Sequence, residues 1–581
     1  MITLRSIQVI AVVMLAALFV VGQTQQPAVK TESRDSQAIG AITGKVVNEN
    51  GQPLAGAAVQ VRVVGGNGPG QMTSTDREGE FRVNGLDRAS YAVSAALPAY
   101  TTPPRDPSST QPPAYRIGDS VTLTLIKGAV VTGTVSNANG EPVVAVNVRV
   151  QMSRDANGKR VPSGFSREKP TDDRGVYRIY GLLPGTYVVS AGGPGTYGSS
   201  EQNAFDTDVP TFAPSATRDT ATEINMRAGE EANGVDIRYR GEQGRTVSGV
   251  VNAPADAGFN LILSASGEGG VPWTTNFYQA PGVRGFMFNG IADGEYQLLA
   301  MSYPRGGREL AAAVKRISVR GADVSGIELT TVPLGVISGR VALEDSKVPE
   351  CSDKQRPQFN EIIVSAWHND NEAAKETPGT LWSIGAPVPA DVDGSFTLRN
   401  LAAGEYYVAT RFTAKYWYLQ SISFAPPANA AAKVASKAVD APGVWTKVKA
   451  GDRLSGFTVT LALGAGSLRG QVVTGEGTQV PEKLFVYLVP SEREKAEAVL
   501  RYYAVPVAAD GKIALHNIAP GRYWIVAQTF AEDAATPLTK LRLPDGTETR
   551  ARLRREAEAA KTEVEFKPCQ NVTDFELPLK H

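Results

Sequence analysis

Apolar and polar residues alternate in short runs along this chain, as in Val59-Val61-Val63 and Val146-Val148-Val150. Such alternation puts every second side chain on a common face, the signature of a strand with one buried side. One patterned segment recurs. Gly175, Tyr177, Leu182, Gly185 and Tyr187 set a spacing repeated by Gly394, Phe396, Leu401, Gly404 and Tyr406, and again by Gly511, Ile513, Ile518, Gly521 and Tyr523. Gly79, Phe81, Leu86, Ala89 and Tyr91 fit it with alanine at the fourth place, and Arg284 stands in for the first glycine ahead of Phe286, Ile291, Gly294 and Tyr296. The chain reads as a tandem array.

Each segment has a mechanical reading. Runs such as TDREG, DVDG and AADG are turns, because Asp caps its own backbone and Gly tolerates positive φ. An alternating strand follows, then a Pro-Gly or Ala-Gly corner into a second strand that begins at the tyrosine. In Greek-key sandwiches a tyrosine at such a corner buries its ring and bonds a nearby backbone group, which assigns Tyr91, Tyr187, Tyr296, Tyr406 and Tyr523 as structural corner residues. Upstream of each copy runs a strand with glycine at its middle (Gly44, Gly133, Gly249, Gly339, Gly470). Downstream an alternating run closes the unit, at Val121, Val235, Ile327, Phe457 and Asp574.

The expected fold is all-β: five tandem Greek-key β-sandwiches over 38–128, 129–243, 244–333, 334–464 and 465–581. Units of this size bury a core unaided. Two charged stretches in the last unit, SEREKAEAVLR and RARLRREAEAAK, have the composition of short exposed helices. Only Gly464 and Ala465 separate the fourth unit's closing run from the fifth unit's glycine strand, which predicts a semi-rigid rod or curved array.

Arg5 precedes an apolar run from Ile7 to Val21, the length of a signal peptide and short for a membrane span. Residues 1–22 are read as that export signal, with an uncleaved anchor as the alternative, and 23–37 as a polar lead-in. The mature chain is expected to be periplasmic, cell-surface or secreted, with no membrane span. The 59 basic and 59 acidic side chains cancel, and no basic run interleaves with aromatics, which argues against nucleic acid as a partner. The 58 glycines and 37 prolines suit a chain of many turns and few helices.

The pattern Gly-x-Val, Asn-x-x-Gly-x-Pro, x-Ala-x-Val, then Thr-Asp-x-x-Gly-x-Phe and Leu-x-Pro-Gly-x-Tyr-x-Val resembles the carboxypeptidase regulatory-like domain, a transthyretin-like sandwich grouped with carbohydrate-binding-like folds. The first two units carry it throughout, the others in the glycine strand, corner and closing strand. The resemblance implies an extracytoplasmic accessory or adhesive module and no peptidase activity of its own, with a peptidase accessory subunit as a lesser alternative.

Little chemistry accompanies this frame. The three histidines are His368, His516 and His581, and the spacing from His368 to Glu372 suits neither HExxH nor a His-x-x-Glu zinc pair. No nucleophile elbow or Walker loop occurs. No cofactor and no catalysis are expected, and the partner is a protein or glycan at the cell surface. Tyr416, Trp417 and Tyr418 form a candidate sugar-stacking platform. The competing reading packs Tyr416 and Tyr418 under one sheet face and Trp417 under the other. Trp273 and Tyr278 are a second aromatic candidate, and Asp391-Val-Asp393-Gly394 is either a calcium-loop start or a hairpin turn, the later Glu ligand being absent.

The two cysteines complete the reading. In a sandwich with an odd number of alternating strands, first and last strands point the same way. The first strand of unit four then ends, and the last strand of unit five begins, at the junction between them. Cys351 and Cys569 flank those strand ends, so an oxidising compartment predicts a disulfide across the junction.

Overall fold

A computed structural model describes residues 40–66, 68–104, 113–161, 165–195, 203–265, 274–304, 310–369, 387–425, 439–440, 445–475, 479–481, 483–529 and 537–579. The expected export segment, the lead-in, Trp273, Glu372 and His581 lie outside them. The chain is a series of β-sandwiches. Sheets pair face to face around clusters of buried apolar side chains, one cluster for each stretch of sequence that repeats the pattern.

The first sandwich shows the plan. Gly40–Asn48 pairs antiparallel with Glu80–Leu86 and parallel with Ser120–Lys127, forming one sheet. Gln71–Ser74, Ala58–Val63 and Tyr91–Ala96 form the other. The alternating residues Val59, Val61, Phe81, Val83, Val121 and Leu125 meet between them, all nearly free of solvent exposure. The same parallel pairing of opening and closing strands recurs for Arg245–Asn252 with Val324–Thr330, Gly335–Glu344 with Arg453–Leu463, and Gly466–Val473 with Asn571–Pro578. In the second sandwich it is shorter, with Glu231–Ala232 and Ile237–Arg238 both alongside Ala129–Ser136.

This pairing explains the repeated mid-strand glycines. A Cβ on Gly44, Gly133, Gly249, Gly339 or Gly470 would overlap the carbonyl oxygen of Val121, Val235, Ile327, Phe457 or Phe575 on the closing strand. Opening and closing strands approach this closely only where the side chain is a hydrogen. A second special position precedes the Leu or Ile of each corner. Gly85, Gly181, Gly290, Asn400 and Asn517 all have φ between 58° and 75°, and all five sites interrupt strand register where the corner strand pairs with the opening strand. Only Gly and Asn occupy it, the residues that tolerate a left-handed bulge.

The helical expectations divide. RARLRREAEAAK is helical within Thr547–Ala560, but the helix is not merely exposed: Leu553 and Ala557 pack with Leu541 on Phe485, Tyr487 and Val489, the outer face of the last sandwich. That cover is why every residue of Leu484–Pro490 is buried. Arg550, itself buried, donates to the carbonyls of Leu541 (2.9 Å) and Leu543 (2.8 Å), which ties the helix to the preceding turn. SEREKAEAVLR forms only two 3-10 turns, Arg493–Lys495 and Val499–Arg501. Tyr502 immediately after it is drawn into the same apolar cluster, so the chain is pinned before a regular helix extends.

Candidate functional site

The corner tyrosines share one geometry. Each phenol donates to the carbonyl four residues earlier: Tyr91 to Asp87 (2.9 Å), Tyr187 to Leu183 (2.8 Å), Tyr296 to Ala292 (2.7 Å), Tyr406 to Ala402 (2.9 Å) and Tyr523 to Ala519 (2.8 Å). Burial pushes all five phenols up, Tyr296 to about 12. These groups are fixed and neutral. Their chemistry is that of a bracket holding the corner.

The aromatic run of the fourth sandwich offers no stacking platform. Trp417 is completely buried in the core, and its indole N–H donates to the carbonyl of Gln355 at 3.0 Å. Tyr416 is half-buried at the junction with the fifth sandwich: its hydroxyl accepts from Asn571 Nδ2 at 3.1 Å, and the Lys354 ammonium lies 4.9 Å from its ring centre. Burial raises the Tyr418 phenol. Core filling claims the largest ring, so the sugar platform is corrected to a packing role. Tyr278 is exposed on a strand.

The other candidates resolve likewise. Asp391–Gly394 closes a hairpin: the Gly394 N–H donates to the Asp391 carbonyl (2.8 Å), and Asp393 accepts from the Ser395 N–H (2.9 Å) and hydroxyl (2.7 Å). Those bonds hold the Asp393 carboxyl below the usual range. Among the described residues no group of three or more His, Cys, Asp or Glu could hold a metal ion. His368 lies edge-on to Tyr406, ring centres 4.9 Å apart, and burial pushes its imidazole down to about 4. His516 is on the strand Lys512–Ile518, in the fifth sandwich.

Contacts between sandwiches are the more developed feature. Cys351 and Cys569 are bonded, with Cα atoms 5.6 Å apart, and both are buried. Beside them the Gly464 and Ala465 N–H groups both donate to the Tyr416 carbonyl at 2.8 Å, and the Cys569 N–H to the Gly464 carbonyl at 3.0 Å. Between the third and fourth sandwiches Ile262, Leu299, Met301 and Ala312 pack with Leu334 and Ala402, while Asn400 Oδ1 accepts from the Leu310 N–H (2.8 Å). Between the second and third, the Gly244 N–H donates to the Thr207 carbonyl (2.9 Å), and Thr275 donates to the Gly195 carbonyl (2.7 Å).

One contact skips sequence neighbours. Arg88 of the first sandwich pairs with Glu361 of the fourth at 3.2 Å, the Ser90 hydroxyl donates to the Glu361 carbonyl (3.0 Å), and Asn360 Nδ2 donates to the Arg88 carbonyl (2.8 Å). Glu361 is 3 % exposed. The first sandwich therefore touches the fourth directly.

A cleft of about 520 Å³ lies where the second and third sandwiches meet, with Arg218, Arg245, Asp219, Glu242, Asp293 and Tyr296 on its walls. Its carboxylates are engaged: Asp219 accepts from the Thr217 hydroxyl (2.7 Å), Glu242 pairs with Arg240 (2.5 Å), and Asp293 accepts from the Gly321 N–H (2.9 Å).

Comparison with solved structures gives local likenesses. The TIE protein of Bacillus anthracis is 14% identical over 50% of this chain and 50% of its own, with a TM-score of 0.14. The major pilin subunit BcpA of Bacillus cereus is 12% identical over 50% of this chain and 99% of its own (TM-score 0.14), and the minor pilin GBS52 of Streptococcus agalactiae 12% identical over 35% and 96% (TM-score 0.18). These TM-scores are too low to assign a shared function. A search of the curated proteins gives no match. Residues 41–115, which hold the first sandwich's glycine strand, hairpin and tyrosine corner, match the family model of the carboxypeptidase regulatory-like domain.

Proposed function

We propose that this chain is an exported, non-catalytic array of five β-sandwiches, with the boundaries 38–128, 129–243, 244–333, 334–464 and 465–581, that holds binding surfaces in fixed register at the cell envelope. The observation that carries this reading is the run of buried locks between sandwiches, with the disulfide Cys351–Cys569 foremost. A bond of that kind persists in an oxidising compartment, which supports export. Its position supports the structural role: it constrains the angle between two sandwiches. Among the described residues no helix is long and apolar enough to cross a membrane.

The test is fractionation of producing cells combined with thiol labelling before and after reduction. The protein is expected in the periplasm, envelope or medium, with both cysteines protected until reduced. A cytoplasmic pool with both thiols labelled would overturn export. For the presenting role, purified oxidised protein should be retained by the envelope fraction and cross-link there to a partner, and protein that stays free would count against it.

A further inference from the structure

The junction closed by the disulfide also carries two adjoining hollows with an unusual charge. The first, about 220 Å³, is walled by Lys415 and Tyr416 of the fourth sandwich and by Ser467, Arg469, His516 and Asn571 of the fifth. The second, about 280 Å³, shares His516 and Asn517 with it and adds Arg411 and Arg542. Neither is lined by any carboxylate among the described residues. In a chain whose 59 basic and 59 acidic side chains balance, that is local segregation. The cleft between the second and third sandwiches makes the contrast, since there three carboxylates face two arginines.

The basic side chains also line one hollow together. Burial pushes the His516 imidazole down first, and the charges of Arg469 and Lys415 push it further. Like charges held together without a counter-charge repel, and a bound anion relieves that repulsion. Lys415 and Arg469 make no ion pair with any described residue, unlike many of the chain's surface arginines and lysines. Hydroxyl and amide groups sit among them: Ser467 Oγ donates to Asn571 Oδ1 (2.7 Å), and Asn571 Nδ2 to the Tyr416 hydroxyl (3.1 Å), a chain that crosses from the fifth sandwich to the fourth.

We propose that this junction is a binding site for a tetrahedral oxyanion, a phosphate or sulfate group, held between Lys415 of the fourth sandwich and Arg469 and His516 of the fifth. Guanidinium and ammonium donors suit such oxygens, the first as a fork and the second as a point charge. The first hollow is smaller than the roughly 300–1,000 Å³ typical of pockets for drug-sized ligands. It admits the anion with a short substituent. The anion is either a free ion or the headgroup of a larger molecule whose remainder extends along Arg411 and Arg542. Because both sandwiches supply the cations, occupancy couples to the junction that the disulfide fixes.

The test is calorimetric titration of the oxidised mature chain at low ionic strength with inorganic phosphate, inorganic sulfate and glycerol 1-phosphate. Saturable binding with one site per chain is expected, weakening as salt is raised. Tighter binding of the ester identifies a headgroup, and equal or tighter binding of the inorganic ions identifies a free anion. The double variant Lys415→Gln/Arg469→Gln should lose at least tenfold in affinity with an unchanged unfolding midpoint, while Arg320→Gln, exposed on the third sandwich, retains it. Should the double variant unfold early, Lys415→Gln alone carries the comparison. No saturable binding of any of the three probes, or equal affinity in wild type and variant, overturns the assignment.

Discussion

Removing the Cys351–Cys569 bond tests how the fourth and fifth sandwiches support each other. The substitution is Cys351→Ser with Cys569→Ser, so that no thiol remains. Although 218 positions separate the two cysteines, the loop that matters depends on what unfolds. If the fifth sandwich opens while the fourth stays folded, the tethered segment runs from Gly464 to Cys569. A loop of about 100 residues corresponds to about 4.7 kcal/mol of lost unfolded-chain entropy, and native bonds more often yield about 2–4 kcal/mol. For a domain of this size that is a fall in midpoint of roughly 10–20 °C. Calorimetry should therefore show one transition shifted by that amount, with transitions of the first three sandwiches in place. Reduction under denaturing conditions followed by refolding with blocked thiols should reproduce it. Two outcomes refute the reasoning: an unchanged profile, or a uniform shift of all transitions.

Three further outcomes are expected. Tyr187→Phe removes the 2.8 Å bond to the Leu183 carbonyl and leaves that acceptor without the phenol, which should cost about 1–1.5 kcal/mol by denaturant unfolding, with no loss for the same change at exposed Tyr180. Gly133→Ala places a methyl group against the Val235 carbonyl and should destabilise the second sandwich by about 1–3 kcal/mol, whereas Gly285→Ala, on a strand of the third sandwich with open space around it and no positive φ, costs less. The His368 imidazole, pushed down to about 4 in the folded state, protonates more readily once unfolded. The unfolded chain then binds more protons between pH 6.5 and about 4, so stability is lost as pH falls through that window, and His368→Gln should flatten the dependence measured by thermal melts.

The legible parts of this fold are those written in local pattern. Alternation located the strands because burial on one face leaves period two in the residues themselves. The cysteine pairing was legible for a topological reason: Gly335–Glu344 and Arg453–Leu463 run parallel, as do Gly466–Val473 and Asn571–Pro578, so the flanking cysteines meet at one end. The reason for Gly44 and its counterparts was hidden, because the carbonyl that excludes a side chain comes from a strand some 80 residues on or more. The left-handed position at Gly85, Gly181, Gly290, Asn400 and Asn517 carried a local signal, Gly or Asn before Leu or Ile, that the larger glycine pattern obscured. Trp417 misleads for the opposite reason. Flanked by tyrosines it looks like a surface platform, yet the core of the fourth sandwich needs its volume.

Surfaces are harder to read than cores, and the junctions show why. Arg88 and Glu361 have no pattern in common; their pairing exists because the first sandwich docks on the fourth and takes the carboxylate out of water. Once buried, each charge depends on the other, and loss of either leaves an uncompensated ion, so the contact is specific even where its net contribution is small. The basic side chains at the fourth and fifth junction obey the same logic, with the proposed anion as counter-charge to Lys415 and Arg469. Lys415, Arg469 and His516 come from different strands and loops, each unremarkable in its own stretch of sequence, and only the docking of two sandwiches brings them together. A core selects residues by period, whereas a junction selects them by the placement of whole sandwiches.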